Sequence, residues 1–137
     1  MKHTKLKTPF CLILCLALLF SLSVSANAAM DASPVFVGGH VIVDNDLSAE
    51  LHAQTKYECD DLGVASVDLH RVNSNGSITY SVTPLPLPTS TFGDSIDYYG
   101  WIECGGYAVR GSYYRLCVTF IADGMTMTIT SRIVHYQ

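Results

Sequence analysis

The chain has 137 residues, 8 basic and 12 acidic side chains and a formal charge of −4. Such a length holds one domain with a modest core. Beyond residue 28, twelve acidic residues stand against five basic ones, a formal charge of −7 with Lys56 the only lysine; phosphate backbones and anionic lipid surfaces would be repelled, which excludes nucleic acid as a partner.

The first element is an export signal. Lys2, His3, Lys5 and Lys7 form a basic start, and the stretch from Phe10 to Val24 carries no charge. Ser25-Ala26-Asn27-Ala28 supplies the small residues of a cleavage site, Ala26-x-Ala28. The apolar stretch is about 15 residues, short of the roughly 20 that span a bilayer as a helix. Cys15 follows Ile13-Leu14 inside that stretch, not the small residue a lipoprotein site needs. The organisation predicted is a signal peptide over 1–28 and one domain over 29–137, secreted and free of the membrane after cleavage.

The domain reads as strands throughout. A first strand runs from Val35 to Val43, with Gly38-Gly39 marking a bulge or kink. Leu51, Ala53, Thr55, Tyr57 and Cys59 alternate with Glu50, His52, Gln54, Lys56 and Glu58, the period of two that a half-buried antiparallel strand requires. Asp60-Asp61-Leu62-Gly63 reads as a turn. Ala65, Val67 and Leu69 then share one face, Ser66, Asp68 and His70 the other, before a turn at Asn73-Ser74-Asn75-Gly76. Ile78, Tyr80 and Val82 form the return strand.

Pro84-Leu85-Pro86-Leu87-Pro88 interrupts the pattern with an extended connector, since alternate prolines remove backbone donors. Strand character resumes from Ile96 to Cys104, rich in aromatics. Tyr113 to Ile121 is the clearest core strand, with Tyr114, Leu116, Val118 and Phe120 on one face. Ala122-Asp123-Gly124 is a hairpin turn. Met125, Met127, Ile129 and Ile133 share a parity on a last strand that ends near Tyr136. Six or seven short strands, with turns roughly every 8–12 residues and no helical period, predict an all-β fold: a single antiparallel β-sandwich, with a small β-barrel as the alternative.

Several segments carry a resemblance. Leu51-x-Ala53 with Lys56-Tyr57-Glu58-Cys59, Val67-Asp68-Leu69-His70-Arg71, Gly111-Ser112-Tyr113-Tyr114-Arg115-Leu116-Cys117-Val118-Thr119 and Thr130-Ser131 together resemble short, uncharacterised secreted immunoglobulin-like β-sandwich proteins of Gram-positive bacteria. The resemblance implies an immunoglobulin-like fold and export. It implies no activity, and the antibody-type spacing of Cys59, Trp101 and Cys117 is absent.

Three cysteines follow the signal, and an exported chain meets oxidising conditions. If Arg110-Gly111 centres a hairpin, Cys104 faces Cys117 and those two are the disulfide candidate, leaving Cys59 a buried free thiol; Cys59 bridged to Cys104 or Cys117 is the alternative. A catalytic cysteine needs an activating base and exposure, whereas Cys59 faces the core between Glu58 and Asp60. His40, His52, His70 and His135 fall on four predicted strands; His52 and His70 share the polar face and could meet diagonally across a hairpin, too few donors for a metal site. Asp44-Asn45-Asp46 lacks the spaced ligands and terminal Glu of a calcium loop. No nucleophile elbow and no phosphate-binding glycine loop occurs, so no catalytic residue, metal or cofactor is assigned.

The remaining signal is aromatic. Tyr98, Tyr99, Trp101, Tyr107 and Tyr113 crowd a short region, and an exposed platform of Tyr98, Tyr99 and Trp101 on a flat sheet suits sugars or protein contacts. Function is therefore expected to be that of a secreted, non-catalytic binding module for an extracellular protein or glycan. The alternatives are an inhibitor or toxin-like protein presenting Pro84–Pro88, and a small hydrolase built on the loop aspartates Asp44, Asp46, Asp60, Asp61, Asp94 and Asp97.

Overall fold

The computed structural model describes residues 35–82, 85–88 and 91–137, with backbone alone over 91–94. The export signal at 1–28, Pro84 and the side chain of Asp94 lie outside the described residues. Seven strands follow in order: β1 (Phe36–Val43), β2 (Ser48–Val72), β3 (Ile78–Val82), β4 (Thr91–Glu103), β5 (Tyr113–Ala122), β6 (Met125–Thr130) and β7 (Val134–His135), with a single 3₁₀ turn at Gly105–Tyr107. The chain is all-β. No helix among the described residues is long and apolar enough to cross a membrane.

All seven strands belong to one antiparallel sheet built around β2. The first half of β2 pairs with β1 and β4, and its second half with β5 and β3. Leu62 is the crossing point, opposite Thr91 of β4 and Ala122 of β5. Two face-to-face sheets of the immunoglobulin-like kind are not seen among the described residues. One sheet curls around the core instead, which fits the small-barrel alternative. Tyr98 of β4 meets Phe120 of β5 edge to face with centroids 6.1 Å apart. The β-carbon absent at Gly39 of β1 would lie 2.9 Å from Met127 Cε and 3.0 Å from Ile129 Cδ1 of β6. Strands distant in the sheet thus meet through their inward side chains.

The curl explains why β2 runs 25 residues where a turn was expected at Asp60–Gly63. Its ladder is interrupted between Gln54 and Cys59, between Cys59 and Asp61 and between Val64 and Ser66. At these irregularities the strand bends without stopping, as bulges allow. The last two shifts also change which parity faces inward: Leu51, Ala53 and Cys59 are buried, then Leu62 and Val64, then Val67 and Leu69. Tyr57 and Ala65 consequently point outward, against their expected inward placement. At Tyr57 the carbonyl takes the inner position, accepting from Thr55 Oγ1 at 2.8 Å and Cys59 Sγ at 3.4 Å.

The turns at Asn73–Gly76 and Asp123-Gly124 form where their residue types place them. Gly76 has φ +82°, while Asp123 and Gly124 have φ +47° and +81°, the paired positive values of a tight hairpin. In β5, Tyr114, Leu116, Val118 and Phe120 are all buried. The last predicted strand divides in two because Ser131 leaves the ladder: its N–H donates to the Leu116 carbonyl at 2.8 Å and its hydroxyl accepts from the Leu116 N–H at 2.9 Å. The chain then re-pairs with the start of β5 as β7.

Candidate functional site

The outer face of the β1–β2–β4 segment carries a compact group of polar and aromatic side chains. The β1–β2 hairpin turns at Asp44–Leu47 and sets His40 opposite His52 and Ile42 opposite Glu50. On the other side of β2, Tyr99 lies opposite His52, Trp101 opposite Glu50 and Asp97 opposite Gln54. Two complete three-strand rows result, Ile42–Glu50–Trp101 and His40–His52–Tyr99, with Gln54–Asp97 beside them.

Contacts within and between the rows fix their shape. The His52 ring stacks on Tyr99 at 4.3 Å with 21° between planes, and His40 lies tilted against His52 at 4.9 Å. Each histidine reaches diagonally to a carboxylate: His40 Nε2 to Glu50 Oε1 and His52 Nε2 to Asp97 Oδ1, both at 3.2 Å. Trp101 Nε1 donates to Glu103 Oε1 at 2.9 Å, which holds the indole along the strand. Tyr99 and Trp101 remain 66% and 53% exposed, leaving ring surface for a ligand.

Tyr98 belongs to the other face, a correction to the expected platform. Its side chain is buried, packs on Phe120 and lies over Gly100. Burial pushes its hydroxyl pKa up. Successive strand residues point to opposite sides, so Tyr99 could be outward only with Tyr98 inward. Tyr107 and Tyr113 are exposed elsewhere, Tyr113 against His135 at 4.8 Å.

Comparison with known proteins leaves the chain on its own. No family model, no curated protein and no solved structure matches it. Its residues and their geometry therefore carry the functional reading.

The cysteines depart from the expected pairing. Cys59, Cys104 and Cys117 are all free thiols. The hairpin centred on Arg110-Gly111 does not form, because β4 and β5 each pair with β2 and not with each other. Cys104 is buried in the core, where desolvation pushes its thiol up to about 12, with the neighbouring Glu103 charge adding to the rise. Cys117 points outward from β5, opposite Asp68. Cys59 is buried, and burial raises its pKa as well. Neither core thiol is activated as a nucleophile.

The other expected groups separate. His52 and His70 lie far apart along β2, not across a hairpin. His70 Nδ1 lies 2.8 Å from Ser81 Oγ of β3. Asp46 is occupied by Ser48, accepting from its N–H at 2.9 Å and its hydroxyl at 2.7 Å, and these bonds hold its pKa below the ordinary carboxylate value. Asp61 and Asp123 lock the β5–β6 turn to β2 through backbone and carboxylate bonds of 3.0 and 3.1 Å. Of the proline connector, Leu85 is buried and Leu87 is half exposed.

Sequence reasoning singled out Tyr99 and Trp101 but missed His40, Glu50, His52 and Asp97 as their neighbours. A signal was present: a hairpin centred on the Asp44–Leu47 turn places His40 opposite His52.

Proposed function

We propose that the protein is a secreted, non-catalytic binding module, folded as a small open barrel, that takes a neutral or amino sugar on the outer face of β1, β2 and β4. The observation that carries this reading is the pair of exposed rings, Tyr99 and Trp101, set two residues apart on β4 and bordered by the His40–Glu50 and His52–Asp97 pairs. Aromatic faces receive the C–H face of a sugar ring while the flanking carboxylates and imidazoles accept and donate to its hydroxyls. Three carboxylates near the rings, Glu50, Asp97 and Glu103, together with the acidic chain, disfavour uronic or sulfated sugars and tolerate an ammonium group. The hydrolase reading has less support, since the Asp46 carboxylate is engaged by the N–H and hydroxyl of Ser48.

The test is a glycan-array screen of the mature domain, followed by calorimetric titration of the best neutral or amino sugar. Trp101→Ala is expected to weaken binding by about 30-fold, the ~2 kcal/mol of a central aromatic anchor, with an unchanged melting temperature because the ring is exposed. Unaltered affinity in that variant would remove the face from consideration. Binding confined to sulfated glycans would overturn the charge argument.

A further inference from the structure

A second cluster lies at the other end of β2, on the outer face shared with β5. The β2–β5 register sets Asp68 directly opposite Cys117, with His70 two residues further along the same face. The donor atoms of Asp68, His70 and Cys117 lie within 4.8 Å of one another, and all three side chains are partly buried. We propose that these three residues form a site for a borderline-soft divalent cation of the zinc type.

The donor set suits that cation. Thiolate, imidazole and carboxylate together match zinc, which takes sulfur, nitrogen and oxygen ligands at about 2.0–2.3 Å in tetrahedral array. Donors in such an array stand roughly 3.5 Å apart, so the donors, now within 4.8 Å of one another, have little distance to close. A dication held here would be attracted by the Asp68 carboxylate and by the thiolate that Cys117 becomes as it gives up its proton on binding.

The surroundings prepare the ligands. His70 Nδ1 lies 2.8 Å from Ser81 Oγ; in the tautomer that places the proton on Nδ1, the hydroxyl accepts it and Nε2 carries the free lone pair, the arrangement by which outer partners orient a metal-binding imidazole. Thr130 Oγ1 donates to Cys117 Sγ at 3.7 Å, a bond that favours the sulfur as an acceptor. Arg115, opposite His70, has a buried Nε without a hydrogen-bond partner; its positive charge moderates affinity for the cation. Three protein ligands leave the fourth position to water or an exogenous group, as in open zinc sites.

The experiment is titration of the reduced, metal-free full chain with cobalt(II), followed by displacement with zinc. One equivalent is expected to give tetrahedral visible bands and a near-ultraviolet thiolate-to-cobalt absorption, both removed by zinc. Cys117→Ser should lose the thiolate band, and His70→Ala and Asp68→Asn should weaken cobalt binding at least tenfold. Ser81→Ala should weaken it about tenfold, the size of an orienting contact, and His135→Ala should leave it unchanged. Absence of the thiolate band in the folded wild-type chain, or its persistence in Cys117→Ser, would overturn the site.

Discussion

Leu47 shows how a single residue settles competing terms. It has φ +63° and is fully buried. The left-handed region costs an L-residue roughly 1–2 kcal/mol, while burying a leucine returns about 2–3 kcal/mol, so the core keeps leucine where a turn alone would favour glycine. The adjacent Asp46 secures the same turn through Ser48. Those hydrogen bonds lower its pKa, so the folded chain binds fewer protons than the unfolded one and the stabilisation is present above about pH 4, vanishing as pH falls. Asp46→Ala is therefore expected to melt below the wild type at neutral pH and to converge with it under strong acid, by calorimetric scans across pH. A gap that stays constant into acid would show that the carboxylate charge contributes nothing.

At the scale of elements, alternation located most strands and misjudged their continuity. Period two is a local property, and it marked β5 and the two glycine-bearing turns correctly because hydrophobic parity and positive φ are set by neighbouring residues. The bend in β2 was not legible: Asp60-Asp61-Leu62-Gly63 has the composition of a turn, yet backbone pairing with β4 and β5 on either side carries the strand through it. Gly38-Gly39 was read as a bulge, and the register of β1 does shift between Phe36 and Gly38. The structure adds a reason for Gly39 itself, since a β-carbon there would stand 2.6 Å from the His52 carbonyl and 2.9 Å from Met127 Cε. Gly39→Ala should lower stability by about 1–3 kcal/mol, the usual cost of overpacking, measured by urea denaturation. An unchanged midpoint would mean that β1 can move away from β6 freely.

For the whole molecule, the curled sheet divides inside from outside, and the cysteines report that division. Cys59 and Cys104 lie in the core while Cys117 faces out. Iodoacetamide applied to the reduced native chain should label Cys117 promptly and spare the other two until denaturant is added, as peptide mass analysis would read. Early labelling of Cys104 would contradict the described core.

The amino-acid sequence by itself determined the strand-rich character, the turn chemistry at Asn73–Gly76 and Asp123-Gly124, and the acidic charge, because each depends on residues close together in the chain. Tertiary structure decided that one sheet curls on itself, that Tyr98 turns inward beneath Tyr99, and that Asp68 meets Cys117. Those outcomes depend on which strands pair and in what register. Register is a long-range property: a slip of one residue reverses every side chain while the alternating pattern along each strand stays the same.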